Sequence, residues 1–165
     1  MAKNTSTQSS DAQNTKHIDS LSANEFRVEI EGEVVDGVFK IVGLAPFKLE
    51  VKQSSALKAL KDPIKIVKMV RRDPNDVVNR WMRESIASHT DIKRVTRTVE
   101  VVAVDDGEEI RRWHIKGAWI SGISYSDFDT GSGVLVEETL TLQWDSIETI
   151  WIDIADKDHQ LKATN

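Results

Sequence analysis

Strict alternation of apolar and charged residues directly after residue 24 constrains the fold of this chain more than any other feature. Phe26, Val28 and Ile30 occupy every second position, and an arginine and two glutamates fill the positions between and after them. Side chains of a β-strand point to opposite faces in turn, so the pattern predicts a strand with one buried and one solvated face. Similar stretches recur along the chain, which indicates a mainly β protein.

The later alternating stretches bring the prediction to six to eight strands. Asp36-Gly37 and Asp105-Asp106-Gly107 are typical of short hairpins, whereas residues 53–62 are predicted to form a loop or a weak helical turn. Two charges interrupt apolar faces: Lys68 follows Ile64 and Ile66, and Glu138 precedes Leu140. The further predicted strands cover residues 38–44, 47–51, 63–72, 92–104, 108–120, 134–145 and 150–154.

One helix is predicted, over about residues 74–88. Asp73 is the expected N-cap, Pro74 suits the first helical position because it lacks an N–H, and Asp76 lies in the first turn. Residues at helical spacing form its apolar stripe: Val77, Val78, Trp81, Met82, Ser85 and Ile86. The predicted fold class is therefore mainly β, a small β-barrel or two-sheet sandwich with one capping α-helix.

Length and composition fit one domain with a polar segment at each end. Of the 165 residues, 1–24 form a polar arm, 25–155 the β domain and 156–165 a polar tail. The absence of cysteine excludes disulfides and thiolate chemistry and fits a reducing cytoplasm. No apolar run is long enough for a membrane helix, and the first residues lack the order of a secretory signal, so no membrane insertion is expected.

Charge is unevenly distributed along the chain. The formal net charge is −5, but residues 61–97 carry ten basic and five acidic groups, and residues 98–158 carry four basic and fourteen acidic groups. Opposite charges on one molecule suit head-to-tail contacts between copies. Chance clustering of surface charges explains the same numbers, so charge alone leaves both readings open.

No catalytic or metal-binding pattern stands out, so an enzyme is disfavoured and no cofactor or metal is expected. The four histidines, at positions 17, 89, 114 and 159, lie in different predicted elements. Asp127, Asp129 and Glu138 match three places of a calcium loop, but its bending glycine is misplaced. The basic run from Lys65 to Arg72 has no interleaved aromatic residue, which disfavours single-stranded nucleic acid binding.

The order of elements resembles the tail tube proteins of contractile phages and of phage-like contractile injection systems. In that family a strand pair ending in a V-x-G-L-like turn precedes a basic strand, an aspartate-started helix with a central tryptophan, a hairpin and a closing E-x-L-x-L strand. Here these features correspond to residues 42–44, 65–72, 73–81, 106–107 and 138–142, within a match over roughly residues 25–145. SSALKALKDP replaces the family's glycine-rich stretch, so a baseplate or tube-initiating subunit is the first alternative.

The resemblance implies hexameric rings that stack into a hollow tube inside a contractile sheath, with kinship in fold to the type VI secretion tube protein. The implied partners are further copies of the chain, the sheath, baseplate and terminator proteins, and DNA or effector cargo in the lumen. The implied location is the tail tube of a virion or injection-system particle assembled in the bacterial cytoplasm. A monomeric β-barrel binding module remains an alternative, as does a hydrolase that places His114 or His89 beside a carboxylate and a nucleophile.

Two groups of residues are candidates for tube formation. Contacts between subunits are expected from Leu57, Leu60, Lys65, Lys68, Arg71 and Arg72, together with Ile18 and Leu21 in the arm. Acidic side chains of the late strands are expected to face the lumen, where like charge would keep DNA from adhering: Glu137, Asp105 and Asp106.

Overall fold

The computed structural model describes residues 25–51, 57–88 and 93–152, which contain ten β-strands and one α-helix. The elements are β1 (Phe26–Ile30), β2 (Glu33–Val34), β3 (Val38–Val42), β4 (Leu49–Val51), β5 (Leu57–Ala59), β6 (Ile64–Met69), α1 (Val77–Ala87), β7 (Arg97–Asp105), β8 (Glu108–Tyr125), β9 (Glu137–Gln143) and β10 (Ser146–Trp151). The mainly β prediction with one helix is confirmed. The predicted arm and tail, residues 1–24 and 156–165, lie outside the described residues.

Eight of the strands form one antiparallel sheet built around the 18-residue strand β8. The sheet runs β2-β1-β7-β8-β9-β6-β3, and β10 also pairs with β8. The first part of β8 pairs with β7 and β10, and its last part, Trp119–Tyr125, pairs with β9. We call β2, β1, β7, β10 and the first part of β8 the first half-sheet, and the last part of β8 with β9, β6 and β3 the second half-sheet.

A glycine marks the place where β8 passes from one half-sheet to the other. Gly117 has a φ of +63°, a conformation that side chains with a Cβ disfavour. A Cβ there would clash with the carboxylate of Asp145. Asp145 is held close because its backbone N–H donates to the carbonyl oxygen of Lys116 at 3.0 Å. The junction of β9 and β10 therefore packs directly against the point where β8 needs a glycine.

Both half-sheets and the helix contribute to one apolar core. Its buried members are Val28, Ile30, Val35, Ile64, Ile66, Val78, Trp81, Met82, Val99, Val101, Ile115, Ala118, Leu140, Leu142 and Trp144. Trp81 is buried in the middle of α1, and its indole N–H donates to the carbonyl oxygen of Val95 at 2.8 Å. This bond ties the helix to the segment that enters β7, so α1 covers the core beside the two half-sheets.

The helix begins later than the sequence predicted. Its N-cap is Asp76, whose Oδ1 accepts from the backbone N–H of Val78 at 3.0 Å. Asp73, the predicted N-cap, instead accepts from the N–H of Asn75 at 2.8 Å in the turn before the helix. The prediction was wrong because Asp73 and Asp76 can each accept a hydrogen bond from a backbone N–H two residues later, so local rules do not distinguish them. Pro74 does not decide between them either, because proline suits a turn as well as the first helical position.

Two strand predictions also need correction. Leu57–Ala59, predicted as part of a loop or weak helical turn, forms β5 and pairs with β4 as a separate two-stranded sheet. The strand predicted over 134–145 begins only at Glu137, whereas β8 extends to Tyr125, five residues beyond its predicted end. Residues 134–136 are all apolar, but Val134 and Leu135 are exposed, and the carbonyl oxygen of Val136 accepts from the N–H of Val70 at 3.0 Å just past the end of β6.

Candidate functional site and assembly surfaces

A lysine and a glutamate are buried together between β6 and β9. Lys68 and Glu138 lie directly opposite each other in the ladder, and their side chains are 0% and 1% exposed. Lys68 Nζ donates to Glu138 Oε1 at 2.6 Å and to the carbonyl oxygen of Met69 at 2.9 Å. A buried charge is costly unless it is paired and hydrogen-bonded. The pair is therefore satisfied in this register of β6 against β9, and a shift by one residue would separate the charges.

This pair corrects two interpretations of the sequence. Lys68 was expected in contacts between subunits, but its side chain has no exposed area to offer a neighbour. Glu138 matched a calcium-loop position, but its carboxylate is engaged by Lys68. The signal was present in the sequence, because each residue interrupts an otherwise apolar strand face and the two charges are opposite.

A network of ion pairs covers the solvated face of the first half-sheet. Arg112 of β8 is at its centre: it contacts Glu29 of β1 at 3.0 Å, Glu109 at 2.7 Å and also Glu100 of β7. Val102, which lies opposite Arg112 on β7, is fully buried although it is on this face. Long charged side chains can cover apolar surface with their stems, so the network both links three strands and shields Val102.

The network holds its carboxylates in the ionised form. Burial alone would raise the pKa of Glu29, but hydrogen bonds from Arg27 and Arg112 outweigh it and lower that pKa. The hydrogen bond from Arg112 lowers the pKa of Glu109 in spite of burial. The bond to Glu109 in turn raises the pKa of Arg112, against a smaller effect of burial. The shifts are mutual, so the stabilising effect depends on the carboxylates staying charged.

An apolar hairpin projects from one end of the second half-sheet. It consists of β4 and β5, and the exposed fractions of Phe47 and Val51 are 80% and 79%. Leu57 on β5 is also exposed. The hairpin connects Val42, the last residue of β3, to Ile64, the first residue of β6. It therefore lies at the end of the half-sheet where Ile64 pairs with Leu142. Large apolar side chains gathered on a projecting hairpin are typical of a surface that another protein covers.

A second exposed apolar segment lies at the opposite end of the same half-sheet. The loop from 126 to 136 joins β8 to β9, and Phe128 is 80% exposed within it. Val134 and Leu135 are exposed as well. The loop ends at Glu137, the first residue of β9, which pairs with Met69. Met69 is the last residue of β6, whereas Ile64, next to the hairpin, is the first. The second half-sheet thus carries one exposed apolar segment at each end, roughly 17 Å apart along β6 at about 3.3 Å per residue.

The other predicted contact residues fall into three groups. Leu57 belongs to the apolar hairpin, and Leu60 is tied to it because its N–H donates to the carbonyl oxygen of Lys48 at 2.9 Å. Lys65, Arg71 and Arg72 are exposed at β6 and just after it. Ile18 and Leu21 lie outside the described residues.

The three acids predicted to face a lumen do not lie together. Asp105 and Asp106 are exposed at the turn between β7 and β8, whereas Glu137 opens β9 near the other end of β8. An 18-residue strand is roughly 60 Å long when straight, so β8 separates the two positions widely. The three residues cannot form one acidic surface within a subunit.

The described histidine lies in a charged row rather than in a catalytic arrangement. His114 Nδ1 is 3.3 Å from Glu100 Oε1 on the solvated face of the first half-sheet. His17, His89 and His159 lie outside the described residues. In the described ranges no three His, Cys, Asp or Glu side chains are grouped as a metal site would require. None of the helical residues described could form a membrane span.

Comparison with known proteins identifies one family. The family model described as T4-like virus tail tube protein gp19 matches residues 22–148 of this chain. No curated protein matches the sequence. The family match therefore covers the whole described β domain except its last residues.

Solved structures show the same fold at low sequence identity. A chain from the sheath-tube complex of an extracellular contractile injection system, PVC, in the extended state has a TM-score of 0.62 and 13% identity, over 82% of this chain and 95% of that chain. A chain from the tube terminating cap of the anti-feeding prophage has a TM-score of 0.60 and 13% identity, over 81% and 92%. Hcp1 from Flavobacterium johnsoniae has a TM-score of 0.51 and 13% identity, over 76% and 94%.

Proposed function

The chain belongs to the T4-like virus tail tube protein family, and we propose that its copies stack head to tail as rings that form the inner tube of a contractile tail or injection system. The observation that carries this proposal is the pair of exposed apolar segments at opposite ends of the second half-sheet. One is the hairpin with Phe47 and Val51, and the other is the 126–136 loop with Phe128. Each would expose apolar surface to water in an isolated subunit.

Segments at opposite ends suit a repeating contact. If the hairpin of one ring covers the loop of the next, each subunit uses two different surfaces, and the contact repeats along an axis without closing. Burial of large apolar side chains supplies a favourable free energy, and a contact of this kind needs no ligand. Lys65, near the hairpin end of β6, and Arg71 and Arg72, just after its loop end, would then each face a neighbouring ring.

Unpaired strand edges supply a route to the ring itself. Among the described strands, β10 pairs with β8 on one side, and β3 pairs with β6 on one side. An open edge can accept a strand from another chain, so neighbouring subunits can continue one sheet around a bore. We take six subunits per ring as the working number, with a structural rather than a catalytic role for the chain.

The ring would act as a conduit. DNA or an effector would pass through the lumen, and the sheath, baseplate and terminator proteins would contact the outside and the ends. Glu137 would then lie near one rim of each ring's lumen and Asp105 and Asp106 near the other, where like charge would repel nucleic acid. Assembly is proposed to occur in the bacterial cytoplasm.

A subunit that starts or ends the tube is the second candidate. The observation that favours it is the similarity in fold to a chain of a tube terminating cap, which is almost as close as that to the sheath-tube complex. A tube subunit adds copies at both of its ends, whereas a terminal subunit adds copies at one. Length of the assemblies made by the purified chain therefore separates the two roles.

Electron microscopy of the purified chain and of Phe47→Ser and Val51→Ser variants tests the proposal. We expect rings and tubes from the natural chain and folded, unstacked particles from the two variants. Val34→Ser is the matched control, because Val34 is also exposed but lies on β2 in the first half-sheet. A natural chain that stays monomeric at high concentration, or variants that form tubes as readily as the control, would overturn the proposal.

A further inference from the structure

A groove runs between the C-terminal half of α1 and the last part of β8. It contains a cavity of about 370 Å³, and a neighbouring cavity of about 340 Å³ continues it along β8. Ser85, Ile120 and Ser121 line both cavities. Only β9 pairs with this part of β8 among the described strands, so the β8 edge that faces the groove carries no described strand.

One wall of the groove is basic. Lys93 and Arg94 line it, and Arg94 stacks over the indole ring of Trp119 with its guanidinium carbon 4.7 Å from the ring centroid. Within the described ranges neither cation forms an ion pair with a carboxylate. The groove thus combines an apolar floor, which includes Ile120 and Ile123, with two cations at its rim.

A polar atom in the wall of the groove also lacks a partner. Ser85 Oγ is buried and makes no hydrogen bond in the described part of the chain. An unsatisfied buried hydroxyl costs free energy, and the open edge of β8 would offer N–H and C=O groups to a peptide backbone lying in the groove. The groove therefore has the features of a site for an extended acidic and apolar peptide segment.

We propose that residues 153–161 of a second copy of the chain occupy this groove. The segment reads DIADKDHQL: three aspartates and one lysine accompany Ile154 and Leu161. The aspartates complement Lys93 and Arg94, and the two apolar side chains suit the floor. The inference rests on the proposed self-assembly, because it needs a neighbouring subunit.

Residues 153–161 are badly placed to reach the groove of their own subunit. β10 runs from Ser146 beside Lys116 to Trp151 beside Arg111, so it carries the chain away from the groove at Trp119 to Ile123. A return along β8 from Arg111 to Ser121 covers ten residues, about 33 Å when straight. About ten residues of extended chain would be needed to span this distance. Residues 153–161 would then form this connection and could not themselves lie in the groove.

Disulfide trapping tests this docking directly, since the chain has no cysteine of its own. Two single-cysteine variants, Ser121→Cys in the groove and Ala155→Cys in the segment, are mixed, assembled and oxidised. A crosslinked dimer on a denaturing gel is expected from the mixture. Ser124→Cys mixed with Ala155→Cys is the matched control, because Ser124 is an exposed serine on the same strand outside the groove.

Charge exchange adds a test of the rim. Arg94→Glu introduced beside Ser121→Cys should lower the dimer yield about tenfold, because like charges would oppose docking. Asp153→Lys with Asp156→Lys beside Ala155→Cys should restore most of that yield. Equal yields in all combinations would contradict the role of the charges and overturn the proposal.

Electron microscopy of the same samples separates this inference from the proposed function. Tubes without a specific crosslink would overturn the docking and leave the proposed tube function standing. A crosslink inside one chain of the Ser121→Cys, Ala155→Cys double variant, with no dimer, would overturn the second copy as occupant. Specific dimers without tubes would support the docking and count against the tube.

Discussion

Lys68 Nζ and Glu138 Oε1 lie 2.6 Å apart in the interior, on residues that face each other across β6 and β9. Each side chain replaces an apolar residue that the alternation of its strand would place there. The pair joins two strands that are 70 residues apart in sequence. Loss of one partner leaves the other as an uncompensated buried charge, so the two residues are interdependent.

Replacement of Lys68 should therefore be far more costly than replacement of its exposed neighbour. We expect Lys68→Met to lower the free energy of unfolding by about 3–5 kcal/mol, and the Lys68→Met, Glu138→Leu double variant to recover most of it. Lys65→Met, on the opposite face of β6, should change it by about 0.5 kcal/mol or less. Urea unfolding measures all three. A Lys68→Met protein as stable as Lys65→Met would contradict the buried pair.

Two glycines with nearly the same φ should differ in their tolerance of a side chain. Gly43 and Gly107 have φ of +81° and +80°, but a Cβ at Gly43 would lie 2.6 Å from the carbonyl oxygen of Pro63, whereas nothing lies within 4 Å at Gly107. Gly107→Ala should cost about 1 kcal/mol from strain alone. Gly43→Ala should cost clearly more, since Pro63 backbone must move. Thermal unfolding compares them, and equal costs would exclude a close approach at Gly43.

The two aspartates before α1 should contribute unequally to the helix. Asp76→Ala removes the acceptor for the Val78 N–H and should cost about 1 kcal/mol of stability. Asp73→Ala removes a turn bond to Asn75 outside the helix and should cost less. Chemical denaturation followed by circular dichroism measures both. A larger cost at Asp73 would favour the helix start that the sequence alone predicted.

Acid should destabilise the protein through the Arg112 network. Glu29 and Glu109 have folded-state pKa values lowered below the ordinary 4.5, so the unfolded chain binds their protons more tightly. Their stabilising contribution is complete above the unfolded pKa and is lost as pH falls through the lowered, folded pKa values. We expect the free energy of unfolding to fall on acidification from about pH 5 to about pH 3.

Arg112→Met should flatten this pH dependence and lower stability at neutral pH by about 2–3 kcal/mol, because several charged hydrogen bonds are lost. Lys116→Met is the control: its partner Glu148 also has a lowered pKa through their hydrogen bond, but that pair is exposed and screened by solvent. Unfolding curves at stepped pH compare the variants. The same acid sensitivity in Arg112→Met and in the natural chain would contradict the network.

Head-to-tail stacking predicts complementation between variants damaged at opposite ends. Val51→Ser removes an apolar contact from the hairpin, and Leu135→Ser removes one from the 126–136 loop. Each variant alone should fail to form tubes. The intact loop of a Val51→Ser ring can bind the intact hairpin of a Leu135→Ser ring, but the two outer ends of that pair are both damaged. The mixture should therefore form pairs of rings but no long tubes. Particle lengths in electron micrographs measure this, and long tubes from the mixture would contradict the arrangement.

The fold class followed from local pattern, whereas element boundaries often did not. Alternation of period two revealed β1 and β6, and the spacing of Val78, Trp81 and Met82 revealed α1. The start of α1 was misplaced because Asp73 and Asp76 are equivalent to local rules. The strand predicted over 134–145 began before β9 because alternation describes side chains, while a strand requires a continuous ladder of hydrogen bonds with a neighbour.

The proposed contact surfaces draw on both the sequence and the structure. The sequence directed attention to Leu57 and to the basic residues of β6, and the structure adds the exposed hairpin around Leu57 and the loop around Phe128. Lys68 was misassigned, because charge in a sequence indicates solvent unless a buried partner is known. That partner, Glu138, is on a distant strand.

The sequence by itself determined that this chain is mainly β with one helix and, by its order of elements, that it resembles tail tube proteins. Such properties depend on local periodicity and on neighbours along the chain. Only the tertiary structure decided that Lys68 and Glu138 meet, that Gly117 packs against Asp145, and that the two exposed apolar segments lie at opposite ends of one half-sheet. These relationships depend on which strands pair and in which register, and pairing between distant strands is set by the packing of the whole core.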